Sequence, residues 1–271
     1  MDDSGGNIIE VKDLVKTFGN FTAVGGLSFS VKRGEIFSFL GPNGAGKTTT
    51  IKMLTTLLRP NSGSIRIAGL DPAREPLEVR RKFGIVFQDN SLDDDLTAWE
   101  NMLFHTVLYG VPAGERRGRI EEMLRFVGLW DRRKDLVKHF SGGMKRRLEI
   151  ARCLSHRPDL IFLDEPTSGL DPQNRSRLWE HLRRLNSELG TTIFLTTHSM
   201  EEAEKVSGRI IVIDGGKIAA EGTPDDIKRQ TETQTLEEAF LALTGRDLRD
   251  DVPGAVDDMR KARLIWRGKS R

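Results

Sequence analysis

The chain has 271 residues, of which 37% are hydrophobic and 30% are charged, which is typical of a globular protein with room for a sizeable core. Its 42 basic and 40 acidic side chains nearly balance, so we expect no nucleic acid among its partners. A single cysteine, Cys153, excludes an internal disulfide, and no spacing of cysteine and histidine indicates zinc.

The first part of the chain predicts strands on both sides of a glycine-rich loop. The apolar run 35–41 indicates a buried strand that leads into "GPNGAGKTTT", and residues 47–58 predict a helix directly after it. Residues 64–69 alternate like a half-exposed strand, and 84–88, "GIVFQ", indicate a second buried strand.

A long stretch without strand patterns follows. Thr97 and Glu100 match a capping box for one helix, and helical patterns continue through residues 119–129 and 144–156. We therefore expect residues from about 89 to 157 to form a helical subdomain inserted into an α/β core.

Strand patterns return at residues 160–164, 191–197 and 209–214, and a helix at 174–189 separates the first two. "DGG" followed by "KIAAEG" predicts a hairpin turn and a return strand. Strands that alternate with helices predict an α/β fold with a mostly parallel sheet.

The end of the chain carries a second capping box, at Thr235 and Glu238, which predicts a last helix. Residues 246–271 form a charged C-terminal extension. Its simplest interpretation is a solvated or frayed end, and the alternative is a basic segment that rests against anionic headgroups or a loop of a membrane-embedded partner.

The loop "GPNGAGKT" has the G-x-x-x-x-G-K-[ST] spacing of a phosphate-binding P-loop; by itself, this string could also be a flexible turn. Glycines let backbone N–H groups converge on a phosphate, and the helix predicted from Lys47 directs the positive end of its dipole there. The residues predicted to bind the nucleotide here are Gly41, Pro42, Asn43, Gly44, Ala45, Gly46, Lys47, Thr48 and Thr49.

Two carboxylates, Asp164 and Glu165, end the predicted strand "LIFLD". In open α/β sheets the carboxyl ends of the strands line the ligand crevice. Asp164 can help to hold Mg²⁺ beside Thr48, as aspartates at this position of P-loop NTPases do, which leaves Glu165 to act on water. Without the P-loop, "DEP" could be only a polar strand exit.

Three further strings complete a candidate site. Ser141, Gly142 and Gly143 precede a predicted helix, whose free N–H groups and dipole suit a second phosphate contact, although a plain helix cap is the alternative. His198 and Gln88 each lie at the end of an apolar strand pattern. Their order along the chain favours a common site.

In this order the motifs resemble those of the nucleotide-binding subunits of ABC transporters. "GPNGAGKT" resembles the Walker A motif, "LIFLDEP" the Walker B motif, "FSGGM" the signature LSGGQ, and "TSGLD" the D-loop. Gln88 and His198 stand where the family has its Q-loop glutamine and switch histidine. The resemblance covers residues from about 8 to 245.

This resemblance implies a P-loop NTPase core with N-terminal antiparallel β elements, ATP and Mg²⁺ as cofactors, and ATP hydrolysis. Glu165, His198 and Gln88 are then the catalytic residues: Glu165 accepts or orients the water's proton and His198 contacts the γ-phosphate. The resemblance further implies that Thr48, Gln88 and Asp164 place the metal.

The implied partners are a second copy or a related ATPase subunit, in a head-to-tail dimer, and separate membrane permease subunits. In that dimer, Ser141 to Gly143 of one subunit close on the nucleotide of the other, and Asp171 of the D-loop belongs to the nucleotide site. Phe18 takes the position that stacks on adenine. The permease is expected near Gln88 and the helical block.

The sequence also bears on where the protein acts. The first residues, "MDDSGGN", are acidic and polar, and the longest apolar runs, such as "LIFL", have the length of a strand. We therefore expect a cytoplasmic protein that is peripheral on the inner face of the membrane through the permease.

The strings "SGGMKRRLE", "NSLDDDLT" and "TLEEAFLALTGR" resemble the daunorubicin/doxorubicin-resistance exporter branch, which implies export of drugs, lipids or other amphiphiles. Met144 replaces the glutamine of the signature and removes a hydrogen-bonding side chain. Alternatives are a polysaccharide-type exporter, a soluble ABC ATPase that acts on DNA or ribosomes, and a nucleotide-binding regulator without turnover. Intact Glu165 and His198 argue against the regulator.

Overall fold

This computed structural model describes residues 6–245, so the predicted C-terminal extension 246–271 lies outside the described residues. Within residues 6–245 the strands are β1 Asn7–Phe18, β2 Phe21–Lys32, β3 Ile36–Leu40, β4 Ser62–Ile67, β5 Phe83–Val86, β6 Leu160–Asp164, β7 Thr192–Thr197, β8 Arg209–Asp214 and β9 Lys217–Gly222.

The same part of the chain contains nine α-helices and two short 3₁₀ turns, at Trp130–Arg132 and Val137–His139. The helices are α1 Lys47–Leu54, α2 Pro76–Lys82, α3 Ala98–Leu108, α4 Ala113–Phe126, α5 Gly142–Leu154, α6 Pro172–Leu189, α7 Met200–Val206, α8 Pro224–Gln230 and α9 Leu236–Thr244. None of these helices is long and apolar enough to cross a bilayer.

Two sheets form the centre of the described chain. The N-terminal sheet is antiparallel, in the order β2-β1-β4, and the larger sheet has the order β5-β6-β7-β3-β8-β9. Neighbouring strands from β5 to β8 run parallel, and β9 pairs antiparallel with β8 through the predicted hairpin. The α/β fold with a mostly parallel sheet is therefore confirmed.

Both faces of the larger sheet are buried, which explains why its strands are nearly continuous apolar runs. Alternate side chains point to opposite faces: Phe162 and Phe194 pack towards the N-terminal sheet and α1, while Ile193 and Leu195 pack towards the helices. The rings of Phe37, Phe39 and Phe162 each contact the ring of Phe194 at the centre.

Helix boundaries differ from the predicted ones in several places. Helix α1 ends at Leu54 rather than at residue 58, and Thr56 adopts a φ of +65°, which stops the helix. Helix α4 begins six residues earlier than predicted, at Ala113. Strand β5 ends at Val86, so Gln88 lies beyond the strand instead of in it.

The predicted capping boxes are both present: Thr97 with Glu100 opens α3, and Thr235 with Glu238 opens α9. Between β5 and β6 the chain forms only helices α3, α4 and α5 and the two 3₁₀ turns, apart from one isolated bridge between Thr97 and Leu136. The sequence did not predict α2, α7 or α8.

Candidate active site

Three strand ends meet at one edge of the larger sheet. Leu40 at the end of β3 pairs with Thr197 of β7, and Thr196 pairs with Asp164 at the end of β6. The amide of Gly41 donates to the carbonyl oxygen of Thr197 over 3.3 Å. The P-loop, the two carboxylates and His198 therefore follow neighbouring strands.

Two P-loop glycines are required by close backbone approach. A Cβ on Gly41 would lie 2.4 Å from the carbonyl oxygen of Ile213, and one on Gly46 would lie 2.5 Å from that of Ala23. Gly46 also has a φ of +103° and caps the N-terminus of α1. Any larger side chain at either position would push the loop away from β8 or β2.

Lys47 is the first residue of α1, and its side chain is only 5% exposed. Its Nζ donates to the carbonyl oxygens of Gly41 (2.7 Å) and Pro42 (3.0 Å), and it lies 3.5 Å from Oε1 of Glu165. The ammonium group therefore joins the P-loop to the end of β6.

Asp164 is buried at the end of β6 among hydroxyl groups. Its Oδ1 accepts a hydrogen bond from Oγ1 of Thr196 at 2.6 Å and a longer one from Oγ1 of Thr48 at 3.4 Å. A carboxylate and a hydroxyl oxygen are ligands that Mg²⁺ prefers. The donor set at Thr48 and Asp164 therefore fits Mg²⁺ shared with nucleotide phosphates.

No protein-only metal cluster competes with this location: residues 6–245 contain no group of three or more His, Cys, Asp or Glu side chains that could hold a metal ion. Mg²⁺ commonly binds through one or two carboxylates together with substrate phosphates, so a site with a single carboxylate and a hydroxyl is sufficient.

Glu165 follows β6 with a φ of +48°, a conformation that residues other than glycine rarely adopt. Its amide donates to the carbonyl oxygen of Thr196 (3.2 Å) and to the hydroxyl of Thr196 (3.1 Å). These contacts hold the backbone turned, so that the Glu165 side chain faces Lys47 on one side and His198 on the other.

His198 and Glu165 face each other with 3.2 Å between Nδ1 and Oε2, and they form an ion pair when the imidazole is protonated. Burial alone would raise the pKa of Glu165, but the hydrogen bond from His198 and the charge of Lys47 outweigh it and lower the pKa below its ordinary value. The hydrogen bond to Glu165 raises the pKa of His198. Glu165 is therefore ionised at neutral pH.

Phe18 and Gln88 lie at the surface. Phe18 ends β1, is 49% exposed, and pairs across the turn with the exposed Phe21. Strand β2 contacts the P-loop only two residues further on, at Ala23. Gln88 is exposed in the loop that leaves β5, the strand beside β6.

The predicted signature residues lie at the start of α5. Ser141 is exposed and caps the helix by accepting a hydrogen bond from the Met144 amide at 3.3 Å. Gly142 is exposed, and a Cβ there would meet nothing within 4 Å. Gly143 is buried, and its Cβ would lie 2.6 Å from Cγ of Asn174 in α6.

Asp171 is the N-cap of α6. Its carboxylate accepts hydrogen bonds from the amides of Gln173 (3.1 Å) and Asn174 (3.0 Å) and from the Asn174 side chain. The hydrogen bonds of Asn174 lower the pKa of Asp171. Asn174 thus connects the D-loop to the signature, since it also packs on Gly143.

Sequence reasoning missed Arg146 of α5, a buried side chain that reaches the backbone around the two carboxylates. It also missed Thr196, which bonds both Asp164 and the amide of Glu165. The only sequence signal for Arg146 is its spacing of three residues from Glu149, which allows an ion pair on one helix face.

Comparisons with known proteins agree with this geometry. The sequence model of the ABC transporter family matches residues 24–168. The linearmycin resistance ATP-binding protein LnrL of Bacillus subtilis is 44% identical over 220 residues, which are 81% of this chain and 70% of the relative. The daunorubicin/doxorubicin resistance ATP-binding protein DrrA of Streptomyces peucetius is 45% identical over 228 residues, covering 84% of this chain and 69% of the relative.

Among solved structures, the ATP-binding cassette MJ0796, as a dimer in a post-hydrolysis state with ADP and Pi, superimposes with a TM-score of 0.72 at 30% identity. The match covers 79% of this chain and 98% of the cassette. By its motifs, its fold and these relatives, the chain belongs to the ABC transporter family, as an ATP-binding and ATP-hydrolysing subunit.

Proposed function

We propose that this chain hydrolyses ATP with Mg²⁺ at the P-loop, and that the reaction powers export through separate permease subunits. The observation that carries the proposal is the position of Glu165: an ionised carboxylate 3.5 Å from the P-loop lysine and 3.2 Å from His198, next to Asp164 and Thr48. Residues 8–245 would form the ATPase domain, with 89–157 as its helical subdomain.

The loop amides and Lys47 would hold the phosphates, and Phe18 would stack on adenine. The β1–β2 turn supports this position for Phe18, because β2 touches the P-loop at Ala23 and the ring is half exposed. Thr48, Asp164 and Gln88 would hold Mg²⁺, which when bound neutralises charge on the transferred phosphoryl group.

Glu165 would orient the attacking water and accept its proton, since it is ionised and lies beside the P-loop. His198 is half exposed, so its ring can pair with Glu165 through Nδ1 and present its other nitrogen to the γ-phosphate. Such catalysis depends on positioning and electrostatic stabilisation.

A head-to-tail dimer would complete each site. Ser141 and Gly142 are exposed at the N-terminus of α5, where free amides and the helix dipole favour an anion. Gly143 packs on Asn174 and Asp171 caps α6, whereas Ser141 and Gly142 stay exposed and available to the nucleotide of a second subunit. The dimeric structure of the MJ0796 cassette supports a dimer for this chain.

The permease would contact helix α3, which places the chain at the inner face of the membrane. Leu103, Phe104, Val107 and Leu108 of α3 are exposed, with Phe104 at 72% and Leu108 at 76%. These four residues, the α3 apolar face, lie on the helix that follows the loop of Gln88. Contiguous exposed apolar side chains mark interaction sites.

The transported molecule would be an amphiphile such as a drug or a lipid. The support is the names of the relatives, which are resistance proteins for linearmycin and for daunorubicin and doxorubicin. The contacts that select the molecule would lie in the permease.

Two variants test the proposed site. Glu165→Gln keeps the shape of the side chain but removes the proton acceptor, so it should bind ATP with Mg²⁺, hydrolyse it at least about a hundredfold more slowly, and accumulate as a dimer. Lys47→Ala should lose phosphate affinity and stay monomeric with ATP. Light scattering and phosphate release, each with and without Mg·ATP, distinguish the two variants.

The result that would overturn the assignment is a Glu165→Gln protein with the turnover of the wild type. A Lys47→Ala protein that still dimerises with ATP would show that the P-loop lysine does not hold the phosphates.

A further inference from the structure

Arg146 connects helix α5 to the backbone that carries both active-site carboxylates. The side chain is only 7% exposed. Its Nε donates to the carbonyl oxygen of Pro166 at 2.8 Å, and Nη2 contacts those of Asp164 (3.3 Å) and Glu165 (3.4 Å). One guanidinium group thus contacts three successive peptide carbonyls at the exit of β6.

The same guanidinium group reaches the loop that carries Gln88. Its Nη1 donates to the carbonyl oxygen of Phe87 and lies 3.1 Å from Oε2 of Glu149, one turn further along α5. The loop of Gln88 and the exit of β6 therefore share one charged side chain.

Glu149 extends this connection to the other end of the loop. Its buried Oε1 accepts hydrogen bonds from the Ser91 amide (2.8 Å) and the Ser91 hydroxyl (3.0 Å). Arg152 of the same helix donates to the Ser91 carbonyl oxygen at 2.8 Å. Residues 87 and 91 are thus both anchored to α5, with Gln88 between them.

Burying this pair is costly, because desolvation lowers the pKa of Arg146 and only part of that effect is offset by Glu149. A buried ion pair is weak evidence for stability, so its geometry suggests another role. Glu165 has the left-handed φ of +48°, which persists only where its surroundings hold it. Thr196 holds the amide side of Glu165, and Arg146 holds the carbonyl side.

We infer that Arg146 is a positioning residue for ATP hydrolysis, which fixes the Glu165 backbone and, through Glu149, holds the Gln88 loop in register with it. This inference rests on the proposed role of Glu165. Because Ser141 begins the same helix, a shift of α5 when the signature closes on a nucleotide would be passed to Glu165 and to Gln88 together.

The test is Arg146→Gln, which removes the fork of donors and the charge. A small displacement of a reacting group costs large factors in rate, so we expect kcat to fall by about tenfold or more. The KM for ATP and the Kd of a fluorescent ATP analogue should stay within about twofold of wild type, since the P-loop is untouched. The kcat of Glu149→Gln should fall less than that of Arg146→Gln, because the amide oxygen of the new side chain can still accept hydrogen bonds from Ser91.

Arg147→Gln is the matched control. This neighbouring arginine donates to the carbonyl oxygen of Val127, at the end of α4, instead of to the exit of β6. The substitution makes the same charge change on the same helix, so kcat should remain within about twofold of wild type if the effect depends on the Arg146 contacts.

Arg146→Lys keeps the charge but provides one ammonium in place of the planar fork, and it serves if Arg146→Gln does not fold. It should also lower kcat with unchanged ATP affinity. Wild-type kcat in the folded Arg146 variants would overturn the inference, as would parallel losses of kcat, ATP affinity and melting temperature, which indicate a general structural role.

The experiments distinguish a failure of the proposed function from a failure of the positioning role of Arg146. If Glu165→Gln is inactive and Arg146→Gln is fully active, only the positioning role is wrong. If Glu165→Gln hydrolyses ATP like the wild type, the assignment of Glu165 is wrong, and with it the reason for positioning its backbone.

Discussion

Gly142 and Gly143 are adjacent in the signature, but their surroundings differ. Gly142 is exposed with open space around its Cβ position, whereas a Cβ on Gly143 would overlap Asn174. A substitution at Gly143 therefore tests packing on α6 as much as nucleotide contact, and Gly142 is the position that isolates the contact.

We predict that Gly142→Asp stops ATP-driven dimerisation and reduces ATPase activity to background, with an unchanged melting temperature. Aspartate is favourable in the first turn of a helix, so α5 should remain intact, while its charge would repel the γ-phosphate of the facing subunit. Light scattering of a Glu165→Gln background with Mg·ATP gives the dimer fraction.

Gly143→Ala is the contrasting variant: it should lower the melting temperature, and Asn174→Ala should restore much of the loss. If Gly142→Asp dimerises normally with ATP, the Gly142 amide does not lie near the γ-phosphate of the facing subunit.

The pairing of His198 with Glu165 predicts a measurable titration. The hydrogen bond to Glu165 raises the pKa of His198 above the ordinary 6.5. The stabilisation that this pair gives the nucleotide-free protein is therefore fully present below pH 6.5 and is lost as the pH rises through the raised pKa. Histidine NMR should show the raised pKa in the wild type and a lower one in Glu165→Gln. Equal values would show that the two side chains are not paired in solution.

Residues that end strands were predictable from the sequence, and residues that depend on tertiary packing were not. Lys47, Asp164 and His198 follow apolar runs in a fixed order, and parallel strands bring such ends to one edge. Arg146 looks like one of several basic residues on an exposed helix face. Its burial depends on how α5 packs against the exits of β5 and β6, which no local pattern encodes.

At the scale of elements, long apolar strands and capped helices were predictable, and short helices were not. Helices α2, α7 and α8 have seven residues each and bury at most three side chains. Their apolar residues are too few to give a helical periodicity from which these helices could be predicted. Helix α1 carries a run of β-branched threonines and ends early, where Thr56 takes a positive φ.

Helices α3 and α5 are joined by a stack of three rings, and this element predicts sensitivity to acid. Tyr109 stacks on His105 and on His156, with centroids 4.2 and 4.1 Å apart. His156 Nε2–H donates to the carbonyl oxygen of Phe83 at 3.1 Å, which leaves Nδ1 to accept from His105 at 3.4 Å. Burial lowers the pKa of His105 to about 3 and that of His156 to about 4.

Both rings stay neutral in the folded protein down to about pH 4, but they titrate near 6.5 in the unfolded chain. Their contribution to the free energy of unfolding is therefore fully present above pH 6.5 and decreases as the pH falls towards 4. At pH 5 the loss is about 2 kcal/mol per histidine at most. Urea unfolding at pH 7 and 5 should show a smaller difference for His156→Gln than for the wild type. The exposed His139→Gln is the control, and an equal pH effect in all three proteins would contradict the prediction.

At the scale of the whole molecule, one chain contains every motif but not one complete proposed site. The P-loop and the carboxylates lie at the strand ends, while Ser141 and Gly142 lie exposed at the start of α5, next to Gly143, which packs on α6. Composition and periodicity describe a single chain, so only the family resemblance predicted that each nucleotide site is divided between two subunits. The closure of Ser141 and Gly142 on the nucleotide of the other subunit therefore has to be tested on the dimer.

The α3 apolar face predicts where the assembly meets the membrane subunits. Phe104→Ser with Leu108→Ser should reduce recovery of the chain with permease-containing vesicles by about tenfold, since two exposed anchors of an interface are removed. The basal ATPase activity of the purified chain should be unchanged, because α3 makes none of the hydrogen bonds described around Glu165. Leu57→Ser with Leu77→Ser removes two apolar side chains that are more than half exposed elsewhere, and recovery of that control should match the wild type. If both double variants lose recovery equally, general surface hydrophobicity rather than α3 attaches the chain to the membrane.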